Sequence, residues 1–149
     1  MQNIANGLKF YHALAAVAAA ANTDSDSAAI DTQNYDGVVL ITPITDSVAT
    51  GVATLTAKQC DTSGGTYAAL SGAVATATSA ANDDLNGTLL IVDVYRPQER
   101  YIKANLVSAT ANIAFGETVA FCYSGRVGPV SQLAAEVSQL TLVASPAEA

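Results

Sequence analysis

Apolar and polar side chains alternate with a period of two along most of residues 30–124. In residues 48–60 apolar side chains occupy every second position and therefore lie on one face of a strand. Residues 100–108 show the same pattern. Polar turns, above all Asn86-Gly87, divide the chain into short segments. About seven or eight such strands predict an all-β fold, a single antiparallel β-sandwich or jelly-roll-like barrel. No helical pattern alternates with these strands, which disfavours a parallel α/β sheet.

The last three strand segments, residues 88–95, 100–108 and 113–124, predict an antiparallel meander because they follow one another after short turns. The first of them is apolar on both faces at its start, which predicts a buried strand. Residues 35–45 form an earlier strand. Pro43 within it indicates an edge position or a bulge, since proline has no N–H to donate to a neighbouring strand.

The two ends of the chain lack this alternation, so we divide it into an N-terminal arm (1–30), a β-sandwich domain (31–130) and a C-terminal extension (131–149). The arm has good helix formers at near-helical spacing, but an extended arm is equally compatible with its sequence. We expect it to become ordered only against a partner surface. The extension predicts either a short helix over residues 133–140 or a strand over residues 137–143.

The composition predicts a thin core and an acidic surface. Alanine supplies much of the apolar content, aromatic residues make up only 6%, and the net charge is −7. A thin core gains from a partner subunit, since alanine buries little area. Clustered cations are needed to bind nucleic acid or an anionic membrane. We expect neither partner, because the six cations are scattered along the sequence: Lys9, Lys58, Arg96, Arg100, Lys103 and Arg126.

The side chains needed for catalysis or metal binding are scarce. The single histidine, His12, lies in the arm, whereas a Ser–His–acid triad needs an imidazole beside its nucleophile. Cys60, Cys122 and His12 also lack the spacing of a zinc site. The pair Gly64-Gly65 has neither the lysine nor the helix start of a phosphate-binding loop. We therefore expect no enzyme activity, no catalytic residue, no cofactor and no metal ion.

The apolar residues 10–21 could belong to a cleaved signal peptide. This is disfavoured because Lys9 is the single positive charge before them.

The acidic side chains have structural explanations. Asp83 and Asp84 are adjacent and lie in a polar loop, so they do not form a catalytic pair. Asp24 and Asp26 could bind calcium weakly, but without an EF-hand pattern a polar linker explains them better. Asp93 stands among apolar residues. Its surroundings predict an ion pair or hydrogen bond with a nearby arginine (Arg96 or Arg100) or a backbone amide.

The two cysteines lie in apolar, strand-like segments. Cys60 and Cys122 could form one disulfide, but free cysteine behaves as a small apolar side chain in such positions. We expect buried free thiols rather than a disulfide bond.

Three stretches in order resemble the capsid decoration (cement) proteins of tailed phages. The first runs from Leu8-Lys9 to Ala13-Leu14 and continues through small polar residues to residue 36. The second is a strand and polar turn at residues 54–67, ending in tyrosine, and the third is the segment Glu-Arg-Tyr-Ile-Lys-Ala at residues 99–104 followed by a closing strand. The resemblance covers about residues 8–130, and the extension after it is longer than the family pattern.

The resemblance implies a virion structural protein that binds the outer surface of the assembled capsid. Such a protein clamps neighbouring major capsid protein subunits and often does so as a trimer at local threefold positions. We expect the arm to supply the protein interface, since aromatic anchors are typical of interface hot spots. The candidate residues are Leu8, Phe10, Tyr11 and Leu14. The alternative is that these side chains pack back on their own sandwich.

Two other functions remain open from the sequence. One is another virion component, such as a head–tail connector, tail or fibre-base protein. The other is a carbohydrate-binding module, which needs exposed aromatic rings to stack on sugars. The chain has no tryptophan and its tyrosines are spread along the sequence, which favours the virion functions.

Overall fold

The computed structural model describes residues 4–142, as a short helix followed by eleven β-strands. Helix α1 spans Ile4–Gly7. The strands are β1 Lys9–Leu14, β2 Val17–Ala20, β3 Asp24–Asp26, β4 Ile30–Asp31, β5 Gly37–Ser47, β6 Val52–Cys60, β7 Ala68–Thr78, β8 Leu89–Tyr95, β9 Tyr101–Ala109, β10 Ile113–Phe115 and β11 Thr118–Tyr123. Among the described residues no helix is long and apolar enough to cross a membrane.

The strands form two antiparallel sheets. In sheet 1, β5 is central, with β8 on one side and β10 and β11 on the other, and β1 and β2 pair outside β11 and β10. In sheet 2, β9 pairs with β3 and β4 on one side and with β6 on the other, and β7 pairs outside β6.

Three strands are interrupted, because β1 continues as β2, β3 as β4, and β10 as β11. When each interrupted strand is counted once, sheet 1 has the chain order 1-8-3-6 and sheet 2 the order 2-7-4-5. Eight antiparallel strands arranged in this way form a jelly roll. The structure therefore confirms the predicted all-β, antiparallel sandwich of jelly-roll type.

The break between β10 and β11 lies opposite Pro43, as a bulge at that proline predicts. Gly116 donates its N–H to the Pro43 carbonyl at 2.8 Å. A Cβ atom on Gly116 would lie 2.7 Å from Pro43 Cγ, so glycine allows the two backbones to approach. The bulge lets a proline occupy a central strand.

The predicted meander is wrong. Strand β8 pairs with β5 in sheet 1, β9 pairs with β6 in sheet 2, and β11 returns to sheet 1 beside β5. The strands of these three segments therefore alternate between the sheets instead of pairing with one another. The alternation along each strand shows which side chains point inward, but inward-pointing residues of either sheet enter the same core, so alternation does not identify the neighbouring strand.

The N-terminal segment is part of the sandwich, not a separate arm. Strands β1 and β2 lie in sheet 1, and β3 and β4 lie in sheet 2. The helical alternative is wrong beyond Gly7, because residues 9–14 pair with β11 as an extended strand. Ala13 is buried, and Tyr11 and Leu14 pack against the core. Burying these side chains between the sheets stabilises the segment without a partner.

Neither of the two predictions for the C-terminal extension holds over its described part. Residues 131–142 form no regular helix or strand, and residue 143 lies outside the described residues. The segment instead follows the outer edge of β1. The side-chain amide of Gln132 donates to the Leu8 carbonyl at 2.6 Å, and its oxygen accepts from the Phe10 N–H at 3.0 Å. Glu136 accepts from the His12 N–H at 2.7 Å.

Alanine contributes to the core between the sheets, as the composition predicts. Ala53, Ala57, Ala104 and Ala120 are fully buried. Among residues 4–142, Phe115 is the one aromatic side chain that is fully buried. Larger aliphatic side chains, among them Leu40, Leu55 and Ile102, are also fully buried.

Candidate interaction surface

The outward side of sheet 1 carries a continuous set of apolar and aromatic side chains. The register of the strands places Phe10 beside Phe121, Phe121 beside Val39, and Val39 beside Asp93 in one row across the sheet. A second row runs from His12 through Val119 and Ile41 to Ile91. We call this surface the outer face. Its members are Phe10 and His12 of β1, Val119, Phe121 and Tyr123 of β11, Val39, Ile41 and Pro43 of β5, and Leu89, Ile91, Asp93 and Tyr95 of β8.

Several large side chains of the outer face are strongly exposed. Leu89 is 56% exposed, Ile91 51%, Tyr95 62% and Val119 44%. Strand β8 alternates strictly, with Leu90, Val92 and Val94 buried in the core and the side chains between them facing outward. The expectation that this strand is buried on both faces is therefore wrong. A contiguous apolar surface of this kind is unusual for an isolated domain and typical of an interaction site.

Polar groups lie within the outer face and at its margin. The Tyr123 hydroxyl donates to Asp93 Oδ1 at 2.9 Å. The Tyr123 ring reaches Asp93 by crossing Gly37, where a Cβ atom would lie only 2.2 Å from the Tyr123 hydroxyl. Burial, and secondly the hydrogen bond to Asp93, raise the pKa of Tyr123 to about 12. Asp93 thus takes a tyrosine as its partner instead of the predicted arginine or backbone amide.

Another ionisable pair lies at the margin of the outer face, on β1 and the turn before β11. His12 Nε2 lies 3.3 Å from Glu117 Oε2, and both side chains are exposed. Together with Asp93, this pair gives the surface an acidic margin around its apolar centre.

The structure distributes the four predicted interface residues over different environments. Phe10 belongs to the outer face, and its ring centroid lies 6.0 Å from that of Phe121. Tyr11 and Leu14 pack against the core. Leu8 is half-buried beside the C-terminal segment, where its carbonyl accepts from Gln132. The alternative of packing on the chain's own sandwich therefore describes Tyr11 and Leu14, and Phe10 is the member of the set that lies on the exposed surface.

Three arginines lie at one end of the sandwich, two of them between β8 and β9 and one after β11. Arg96, Arg100 and Arg126 line an open pocket of about 620 Å³. The loops after β4, β8 and β11 meet here, which brings Arg126 near the other two arginines although it is far from them in sequence. Acidic side chains offset the charge: Arg100 forms a two-pronged pair with Asp31 at 2.7 and 3.0 Å, and Arg126 lies 3.6 Å from Asp36.

The remaining polar candidates have structural partners. Asp24 and Asp26, which the sequence places in a linker, form β3 and both accept hydrogen bonds from the side-chain amide of Asn105. Lys58 lies 2.9 Å from Asp26. Within residues 4–142 no group of three or more His, Cys, Asp or Glu side chains is arranged to hold a metal ion. Cys60 and Cys122 are free thiols, of which Cys122 is buried and Cys60 half-exposed.

Comparison with known proteins informs the fold. No protein-family model matches the chain, and no curated protein matches it. Among solved structures, the chain is similar to the crystal structure of the PBSX exported protein XepA, with 15% sequence identity and a TM-score of 0.51. The similarity covers 99% of this chain and 46% of XepA, so the chain spans slightly less than half the length of that protein. At this identity the likeness shows the fold alone.

Proposed function

We propose that this protein is a non-enzymatic structural component of a tailed-phage particle, which binds the outer surface of the assembled capsid and stabilises contacts between major capsid subunits. Two lines support a phage role. The sequence resembles capsid decoration proteins in three ordered stretches, and the fold is similar to that of XepA, a phage-related protein. The capsid as the binding partner comes from the sequence resemblance.

The outer face is the observation that carries a docking function. Its exposed apolar side chains lie on a rigid four-strand surface, so docking would cost little conformational entropy. A specific interface removes about 1,200–2,000 Å² from solvent, and aromatic side chains near its centre contribute most of the affinity. Phe10 and Phe121 lie side by side in a row across the sheet and would provide such a centre.

Charge is consistent with a position on the outside of a shell. The chain has a net charge of −7, and the margin of the outer face carries Asp93 and Glu117. Such a surface would be repelled by packaged DNA and would suit a capsid surface with apolar side chains and flanking cations. Many copies bound to neighbouring subunits would stabilise the shell even where each contact is modest.

Copy number tests this proposal against its main alternative. Particles purified from cells that produce this protein are analysed by quantitative mass spectrometry against the major capsid protein. Hundreds of copies per particle are expected for a decoration protein, whereas a head–tail connector follows closed symmetry and occurs in about a dozen copies. Absence from purified particles would overturn the virion function altogether.

A pair of matched variants tests the outer face. Val119→Lys places a charge in the middle of the outer face, and Val74→Lys places the same charge on the outward side of sheet 2, where Val74 is 51% exposed. Both variants should fold, because each side chain already faces solvent. Val119→Lys should reduce the number of copies on the particle at least roughly tenfold, while Val74→Lys should leave it unchanged. Equal occupancy for the two variants would show that the outer face does not dock.

A further inference from the structure

Each sheet has two edges, and the edges of this jelly roll are protected to different extents. An unprotected edge strand exposes N–H and C=O groups that pair readily with another strand, so proteins shorten, bulge or cover their edges. In sheet 1 the outer edge of β1 is covered, because Gln132 and Glu136 bond to its backbone, and β2 is only four residues long. In sheet 2, β3 and β4 are only three and two residues long.

The edge formed by β7 is bulged. Its pairing with β6 shifts between Ala69 and Val74, and Gly72 within the shift has a φ angle of +79°. The extra residues bend the strand and interrupt the row of backbone groups that a second strand would need. The remaining edge is the outer side of β8.

Strand β8 has none of these protections over its seven residues. Its ladder with β5 is continuous from Leu89 to Tyr95, and the strand contains no proline, glycine or lysine. Thr88 accepts from Ile44, and Arg96 donates to Asp36, so the even-numbered residues bond to β5. The N–H and C=O groups of Leu89, Ile91, Asp93 and Tyr95 therefore point to the open edge. No hydrogen bond from residues 4–142 reaches them.

We propose that the open edge of β8 pairs with β8 of a second copy of this chain in antiparallel orientation. The strand is complementary to itself. A register centred on Val92 overlaps the whole strand and places Asp93 beside Ile91 of the second copy, and Tyr95 beside Leu89. In this register the two Asp93 carboxylates are not directly opposite each other. Directly opposed like charges would destabilise the pairing. The residues that bond across the edge also carry the exposed apolar side chains of β8.

The resulting dimer joins the two copies of sheet 1 into one continuous sheet with a two-fold axis. Strand β7 of sheet 2 lies near β8, so exposed residues of β7 could add to the contact. Antiparallel self-pairing generates an isologous dimer instead of the trimer that the capsid resemblance implies. The outer faces of the two copies remain accessible side by side.

Sedimentation equilibrium of the full chain, together with amide hydrogen exchange, tests this interface without any phage component. We expect a dimer. We also expect the N–H groups of Leu89, Ile91, Asp93 and Tyr95 to become protected from exchange as the protein concentration rises. The N–H groups of Leu90, Val92 and Val94 should be protected at every concentration, because they bond to β5. A monomer at all concentrations, a trimer, or a dimer whose odd-numbered β8 amides exchange freely would overturn the proposal.

A proline substitution separates edge pairing from folding. Ile91→Pro removes an N–H that points away from β5, so the internal ladder is retained, and the dimer should weaken roughly a hundredfold or more. Ile91→Val keeps the N–H and a β-branched side chain, and should dimerise like the original protein. An Ile91→Pro variant that folds and still dimerises would contradict the interface, and should that variant not fold, the exchange pattern of the original chain decides the question. These measurements use the purified chain alone. A failure to dimerise is therefore distinguishable from a failure to bind a capsid.

Discussion

The Tyr123 hydroxyl donates to the Asp93 carboxylate at 2.9 Å although the two residues lie on strands that do not pair. Strand β5 runs between them, and the contact passes over Gly37, where the absence of a side chain leaves room for the tyrosine ring. The hydrogen bond thus connects β11 to β8 across the middle strand of sheet 1. It also holds the one carboxylate of β8 on the outer face.

Removing this hydroxyl should destabilise the protein modestly. Tyr123→Phe deletes the hydrogen bond and leaves the ring over Gly37, so the free energy of unfolding should fall by about 1 kcal/mol. Urea denaturation at pH 8 measures this change. Tyr95→Phe is the matched control, because Tyr95 lies on the same face with its side chain largely exposed, and it should change stability by less than about 0.5 kcal/mol. Equal effects of the two substitutions would show that the bond to Asp93 contributes nothing.

The same pair predicts a loss of stability at high pH. Burial and Asp93 raise the pKa of Tyr123 to about 12, whereas an unfolded tyrosine has a pKa of 10.0. The folded protein therefore holds the tyrosine proton more tightly. The stability that this tyrosine contributes is complete below pH 10 and is lost as the pH rises from about 10 to 12. The Tyr123→Phe variant has no hydroxyl to ionise, so only the original protein loses this stability. The free energies of unfolding of the two proteins should therefore become more similar between pH 8 and pH 11. A constant difference would contradict the shifted pKa.

Two buried hydroxyls in the core allow a double-mutant test. Thr42 and Thr118 are both fully buried, and their hydroxyl oxygens lie 2.8 Å apart. Thr118→Val leaves the Thr42 hydroxyl without this partner and should cost about 1–3 kcal/mol. Replacing both residues by valine removes the unpaired group, so the double variant should be more stable than the sum of the single changes predicts. Strictly additive losses in urea unfolding would mean that the two hydroxyls do not depend on each other.

The sequence predicts the fold class better than it predicts the pairing of strands. Alternation identifies which residues of β6 and β9 face the core, and Pro43 marks a real bulge. Pairing depends on contacts between segments far apart in the chain, such as β5 with β11, and alternation is the same for any partner. The N-terminal segment shows the limit clearly: its alanines fit a helix as well as a strand, and only burial of Ala13 between the sheets decides for the strand.

The outer face was only partly visible in the sequence. Residues 89–95 are apolar at nearly every position, which describes a strand buried on both faces as well as one with an exposed apolar surface. The distinction depends on whether another layer covers the sheet, and that is a property of the assembled fold. One signal in the sequence could have identified the face. Residues 119–123 carry large side chains at alternate positions and small ones between them, so the small side chains face the core and the large ones face outward.

The two thiols should differ strongly in reactivity. Burial raises the pKa of Cys122 to about 12, so this thiol forms almost no thiolate at neutral pH and is also shielded from reagents. Cys60 is half-exposed at the end of β6, beside the turn that follows it. A thiol-specific reagent at pH 8 should therefore modify one cysteine of the folded protein quickly and the second only after local or global unfolding.

Mass spectrometry of peptides should locate the fast label at Cys60. Cys60→Ser should abolish the fast reaction and Cys122→Ser should leave it intact, while both thiols of the original protein should react in denaturant. Rapid labelling of Cys122 in the folded protein would mean that β11 does not hold its inward side chains between the sheets.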